Sequence, residues 1–188
     1  TGIPAEDIRQ AARLYAKSEK SAIYYTLGIT EHTCGTDNVR TIANLALLTG
    51  HVGKPSTGVN PIRGQNNVQG ATDMCTPDKL PGYQLFSDQK AVEKFENAWG
   101  VTLNKKPGNT SPTMFERMHK GEFKALYVIG EDPIMSEPNQ DYTIKGLKNL
   151  ELLVVQDIFM SETAHYADVI LPATSFAEKD GTFTNTER

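Results

Sequence analysis

The sequence predicts an α/β fold: a mostly parallel sheet flanked by helices and interrupted by one long loop rich in Gly, Asn and Gln. Three observations predict it. Apolar runs at 123–130 (FKALYVIG), 152–157 (LLVVQD) and 168–171 (DVIL) alternate with helical patterns at about 139–148 and 161–167. That rhythm reads as parallel strands buried on both faces. An earlier run at 21–28 (SAIYYTLG) is β-branched and aromatic between polar residues, as a buried strand should be. Residues 50–72 hold five of the chain's 15 glycines plus Pro55 and Pro61, with no helical or strand period. A long loop of that kind is functional or disordered.

The elements follow in order. Pro4 suits a first helical turn, Glu6 and Asp7 suit its positive end, and Ile8, Ala11, Ala12 and Tyr15 fall at helical spacing. After the first strand, Asp37 is placed to cap a helix with Val39, Ile42, Ala43, Ala46 and Leu47 on one face and Gly50 as its stop. A helix is expected from Ser87 to Trp99 and a shorter one from Pro112 to Lys120, before the strand and helix alternation sets in.

Composition bounds the function. The chain has 188 residues and a net charge of −4, from 19 Lys and Arg against 23 Asp and Glu. That balance gives no electrostatic case for a nucleic-acid partner or an anionic membrane. Mean hydropathy is −0.43, and no apolar run reaches the ~18 residues of a membrane-spanning helix. Cys34 and Cys75 form no C-x-x-C, which argues against a disulfide scaffold, a zinc ribbon or a cysteine-ligated cluster. A reduced, cytoplasmic interior is the default that such thiol usage leaves. The chain opens without an initiator Met and ends without a terminal helix. The expectation is therefore a piece of something larger.

Ligands of open α/β sheets bind beyond the carboxyl ends of the strands. The residues there are Gly28 to Glu31, Gly130 to Pro133, Asp157 to Ser161 and Pro172 to Ser175. Asp157 either accepts two neighbouring N–H donors, as a guanine edge presents them, or caps the turn that follows. Gly130 either lets a ligand approach the backbone or makes a tight turn. No G-x-G-x-x-G or P-loop follows a strand, so neither standard nucleotide site is supported. Arg63 is the only charged residue between Pro55 and Thr72, and Asn60, Gln65, Asn66, Asn67 and Gln69 surround it. This set suits a fused heterocycle, with a guanidinium to clamp a small carboxylate or oxyanion. The alternative is a loop packed on itself with Arg63 in a surface pair. His32, His51, His119 and His165 lack metal-ligand spacing and read as surface or loop residues. Neither cysteine has the basic flank of a nucleophile.

The strings GITEHTCG (28–35), LALLTGHVGKPSTGVNPIRGQNNVQGATDM (45–74), LPGYQ (80–84), GEDP (130–133) and VVQDIFMSETAHYADVILPATSFAEKDGTFTNTER (154–188) resemble the molybdopterin oxidoreductase family. Within it they are most similar to the catalytic α subunit of formate dehydrogenases. The NPIRGQNNVQGA block is specific, whereas GEDP and QDIFMSETA occur more widely in the family. The resemblance implies a Rossmann-like domain of the formate dehydrogenase/DMSO reductase type, covering 1–188 as one domain of a larger subunit. It implies that formate is oxidised to CO2 at a molybdenum or tungsten ion held by two molybdopterin guanine dinucleotides. Matching positions for cofactor contacts are Leu27, Gly28, Glu31, Gln65, Gly130, Asp132, Asp157, Ser161 and Gly181. Arg63 matches the arginine that orients formate beside the metal. The resemblance also places the [4Fe–4S] domain and the metal-ligating cysteine or selenocysteine outside this chain, so this chain alone is expected to bind no metal and to be inactive. Expected partners are formate, the remaining domains and electron-transfer subunits. Two other readings stay open: a non-catalytic nucleotide-binding or assembly domain of a respiratory subunit, and a reductase of nitrate or another oxyanion.

Overall fold

The computed structural model describes residues 2–74 and 76–187. Thr1, Arg188 and the Cys75 thiol lie outside the described residues. The chain divides into two compact units, Thr1–Ala71 with Phe183–Arg188, and Thr72–Thr182.

The first unit opens on helix α1 (Ala5–Lys17), with Glu6 and Asp7 in its first turn and Lys17 in its last, each charge opposing the helix dipole. Strand β1 (Ala22–Tyr25) is shorter than the apolar run predicts. The chain turns at once into a single helical turn, α2 (Leu27–Thr30), so Leu27 and Gly28 follow the strand rather than end it. Helix α3 (Gly35–Leu48) starts before Asp37, with Cys34 and not Asp37 at the cap position. Gly35 is the reason: a Cβ there would lie 2.0 Å from the Thr30 carbonyl oxygen. Asp37 sits in the first turn and pairs with Arg40 at 3.4 Å.

The glycine-rich loop is more ordered than its sequence predicts. Strand β2 (Gly58–Pro61) pairs in parallel with β1, from Ala22 opposite Gly58 to Tyr25 opposite Pro61. The Asn60 amide donates to the Ile23 carbonyl at 3.2 Å, and the Ile62 N–H continues the ladder to the Tyr25 carbonyl at 2.9 Å. Helix α4 (Val68–Met74) closes the stretch.

In the second unit, strands β3 (Lys79–Leu80) and β4 (Gln84–Leu85) form a minimal antiparallel pair. Helix α5 (Gln89–Trp99) is bounded as its ends dictate. Asp88 accepts the Lys90 N–H at 3.0 Å, and Gly100 terminates the helix at φ 67°. Helix α6 (Ser111–His119) carries Pro112 in its first turn. Strand β5 (Ala125–Ile129), helices α7 (Pro133–Ser136) and α8 (Gln140–Leu147), strand β6 (Leu152–Asp157), a 3-10 turn at Thr163–Tyr166, strand β7 (Val169–Pro172) and a 3-10 turn at Phe176–Glu178 complete it. The sheet is parallel, in the order β5-β6-β7.

The parallel sheet and flanking helices are as predicted; burial on both faces is not. Val128, Leu153 and Val155 are buried with Phe115, Met118, Ile134, Leu147 and Ala164, while Tyr127, Ile129, Leu152 and the whole of β7 stay open. Alternate residues of one face therefore make the core, each fully buried side chain contributing ~1.5–3 kcal/mol. Among the described residues, no helix is long and apolar enough to cross a membrane.

Candidate functional site

The carboxyl ends of β1 and β2 open onto a cleft of about 200 Å³. Leu27 and Thr30 line one side, and Arg63, Gly64, Gln65 and Val68 line the other. Parallel pairing causes this: both strands run the same way, so the residues after Tyr25 and after Pro61 emerge side by side. The structure thus brings together three of the residues singled out in the sequence, Leu27, Arg63 and Gln65. Leu27 is exposed, a large apolar side chain with its surface unspent. Gly28 and Glu31 lie in and just after α2, also exposed.

Arg63 is an exposed residue of this cleft. Its backbone N–H donates to the Thr186 hydroxyl at 2.9 Å. Among the described residues, no carboxylate lies within ion-pairing distance of its guanidinium. The surface pair of the alternative reading is thus not seen among the described residues, although Arg63 itself is exposed. Gly64 carries a second signal. A Cβ built on it meets no atom within 4 Å, and the same holds for Gly28. Neither has a backbone conformation that demands glycine. Glycine costs ~0.5–1 kcal/mol relative to alanine where it has no conformational task. Bare backbone facing open space is what close approach by a ligand requires.

The second unit presents its own strand ends. After β5, Gly130 takes φ +62°, a Cβ built there meets nothing within 4 Å, and its N–H donates to the Gln156 carbonyl at 2.9 Å. The Asp132 carboxylate is fully engaged within the chain. Oδ2 accepts the Glu162 N–H at 3.0 Å, and Oδ1 accepts the Thr163 N–H at 3.0 Å and the Thr163 hydroxyl at 2.6 Å. It ties the turn after β5 to the turn after β6. Asp157 caps its own turn through Oδ1, which accepts Ile158 N–H at 2.6 Å and Phe159 N–H at 3.3 Å. Among the described residues, no donor engages its Oδ2. The Ser161 hydroxyl accepts the Ala164 N–H at 3.2 Å. Gly181 is exposed, and a Cβ there meets nothing within 4 Å. Ile158, Phe159 and Met160 stand exposed beside Asp157.

The histidines serve the chain itself. His32 donates from Nε2 to the Gly28 carbonyl at 2.9 Å, and His119 to the Tyr142 carbonyl at 2.9 Å. His51 lies in the loop after α3 but is buried rather than on the surface, and it donates to the Tyr15 carbonyl at 3.0 Å. Cys34 is exposed, its thiol 3.6 Å from Asn38 Oδ1. Among the described residues, no group of three or more His, Cys, Asp or Glu is placed to hold a metal ion. Sequence reasoning missed Thr163 and Thr186, whose partners lie far along the chain.

A family model of molybdopterin oxidoreductases matches residues 11–188. The chain belongs to the molybdopterin oxidoreductase family. It is 52% identical over its whole length to the F420-dependent formate dehydrogenase 2 subunit alpha of Methanococcus maripaludis, of which it covers 28%. It is 50% identical to the F420-dependent formate dehydrogenase subunit alpha of Methanocaldococcus jannaschii, again covering 28%. It is 48% identical to formate dehydrogenase H of Escherichia coli, covering 27%. The chain thus spans little more than a quarter of these relatives. Acetylene hydratase from Pelobacter acetylenicus superposes with a TM-score of 0.61 over 92% of this chain and 26% of its own, at 22% identity, a likeness of fold.

Membership of the molybdopterin oxidoreductases implies a molybdopterin cofactor. The residues present fit one. In the first unit the cleft offers amide groups, open glycine backbone and a guanidinium with no carboxylate partner among the described residues. In the second, Asp157 Oδ2 has no donor among the described residues. Asp132 differs from it, since three donors of the chain already engage its carboxylate.

Proposed function

We propose that this chain is part of the catalytic subunit of a formate dehydrogenase and that Arg63 binds and orients formate. The observation that carries the reading is the Arg63 guanidinium, without an ion-pair partner among the described residues, in the cleft at the ends of two parallel strands beside Gln65. The names and identities of the relatives support it. We read 1–188 as one domain of that subunit, with the [4Fe–4S] cluster, the protein ligand of the metal and the electron-transfer partners supplied elsewhere.

Formate is a one-carbon carboxylate. Holding it requires a cation that cannot lose its charge, and a guanidinium keeps its proton at any working pH. Its fork matches a carboxylate with two parallel N–H donors. Leu27, Ile62 and Val68 add apolar surface beside it. No protein carboxylate competes for it among the described residues. In the complete subunit, molybdopterin guanine dinucleotide with molybdenum or tungsten supplies the redox chemistry that takes two electrons from formate. Leu27, Gly28, Glu31 and Gln65 in one unit, and Gly130, Asp157, Ser161 and Gly181 in the other, are the residues proposed to hold cofactor. Asp132 contributes by fixing the turns that carry them.

Orientation alone is worth ~100-fold or more in rate when a reacting atom is displaced by about 1 Å. Arg63→Ala in the complete enzyme should collapse formate turnover by at least that factor while cofactor content is unchanged. Wild-type kcat/KM in that variant refutes the assignment.

A further inference from the structure

The segment at 183–187 crosses the amide-rich loop at three points. Arg63 N–H donates to the Thr186 hydroxyl at 2.9 Å. The Thr184 N–H donates to Asn67 Oδ1 at 3.0 Å. The Gly70 N–H donates to the Thr184 carbonyl at 3.0 Å. Gly70 is shaped for the crossing, because a Cβ there would lie 2.1 Å from Asn67 Oδ1 and 3.2 Å from the Thr184 nitrogen. The bonds join residues 117 and 123 positions apart. They are a built tertiary lock, not a local turn.

The lock acts on the residue that matters most. Ile62 is pinned on one side by its N–H bond to the Tyr25 carbonyl at 2.9 Å. Arg63 is pinned next to it by Thr186. Two consecutive backbone N–H groups are thus fixed from opposite directions, one by the sheet and one by the late segment. Together they set the direction of the Arg63 Cα–Cβ bond. The guanidinium has no partner of its own among the described residues, so there its aim is set through the backbone. Thr186 also borders a second, more polar hollow of about 230 Å³, with Val59, Asn60, Pro61 and Gln69.

We propose that Thr186 is a positioning residue for Arg63: its hydroxyl holds the Arg63 backbone so that the guanidinium is presented to the substrate anion. The inference rests on Arg63 as the formate clamp argued above. Threonine suits the task, since its hydroxyl accepts the N–H while the β-methyl restricts rotation about χ1.

The test uses the complete holoenzyme with formate as substrate and three variants. Thr186→Val keeps the shape and removes the acceptor; Thr186→Ser keeps the acceptor; Arg63→Ala is the control. One net hydrogen bond corresponds to roughly a fivefold change in an equilibrium. Thr186→Val should raise KM for formate about fivefold, with cofactor content unchanged. Thr186→Ser should return KM to within about twofold of wild type. A merely structural residue would lower kcat through a smaller active fraction and leave KM alone. Amide hydrogen exchange across 60–70 supplies a readout that needs no turnover: exchange at Arg63 should quicken about fivefold in Thr186→Val and not in Thr186→Ser. If Thr186→Val does not assemble, Thr186→Ala carries the same expectations. Unchanged KM and unchanged exchange in the variant lacking the hydroxyl overturn the proposal, as does failure of serine to rescue. The control keeps the two claims apart. If Arg63→Ala turns formate over normally, the clamp fails; if it is inactive and Thr186→Val is normal, only the positioning role fails.

Discussion

Replacing Asp132 with alanine removes the acceptor of three hydrogen bonds, and the cost can be worked from their surroundings. The Glu162 N–H is on an exposed residue and regains water, so its loss costs little. The Thr163 N–H and hydroxyl cannot, because Thr163 is 0% exposed. Each buried donor left unsatisfied costs ~1–3 kcal/mol. The same hydroxyl accepts the Ile134 N–H at 3.2 Å, so its reorientation loosens the start of α7 as well. A sum of about 3 kcal/mol follows, equivalent to roughly a 150-fold rise in local opening. Native-state amide exchange at Glu162 and Thr163 measures it. Asp132→Asn should fall between, with exchange up about tenfold. It retains one oxygen for Thr163 but turns an NH2 group toward the Glu162 N–H, setting donor against donor. If exchange at Thr163 in Asp132→Ala stays within about threefold of wild type, the carboxylate is not what joins the two turns, and its role must be sought in direct contact with cofactor.

Two further predictions test the cleft and the far end of the second unit. A Cβ at Gly64 meets nothing within 4 Å among the described residues, so in Gly64→Ala thermal unfolding should be unchanged or raised by the equivalent of ~0.4–1 kcal/mol. Formate turnover should nonetheless fall, because a methyl group then occupies space kept open; normal turnover would show that nothing approaches that backbone. Glu178 lies in a capping box with Ser175, and its carboxyl is held below the usual carboxylate value, first by the Ser175 backbone N–H and then by its side chain. A lowered folded value means that the box stabilises above the unfolded carboxylate value and is lost as pH falls through the folded one. Following the Ser175 amide and the Glu178 carboxyl by NMR should give a shared midpoint below the ordinary range, and a midpoint at or above it contradicts the capping geometry.

What the sequence made legible was whatever depended on neighbours along the chain. Helix α5 could be read because Asp88 and Gly100 mark its ends in residues that cap by their own chemistry. Strand β6 could be read because Leu152–Asp157 is apolar up to its last two residues. Strand β2 could not: Gly58, Asn60 and Pro61 carry no strand preference, and the segment is extended because β1 supplies its partner. The start of α3 was misplaced for a related reason, since the close approach of Gly35 to Thr30 is a tertiary fact. In the site, the rule that ligands sit beyond parallel strand ends, joined to the family resemblance, led to Leu27, Arg63 and Gln65. It gave no hint that Asp132 would be spent on Thr163 or that Thr186 would meet Arg63. A hydroxyl or carboxylate that bonds across 31 or 123 residues leaves no pattern in its own neighbourhood.

The most direct measurement is a crystal structure of the complete subunit, with its metal cofactor in place and formate or azide bound. The account predicts the anion held by the Arg63 guanidinium in the cleft after β1 and β2, with the Arg63 backbone still bonded to Thr186. An anion bound by a different cation, with Arg63 turned to solvent, would contradict it.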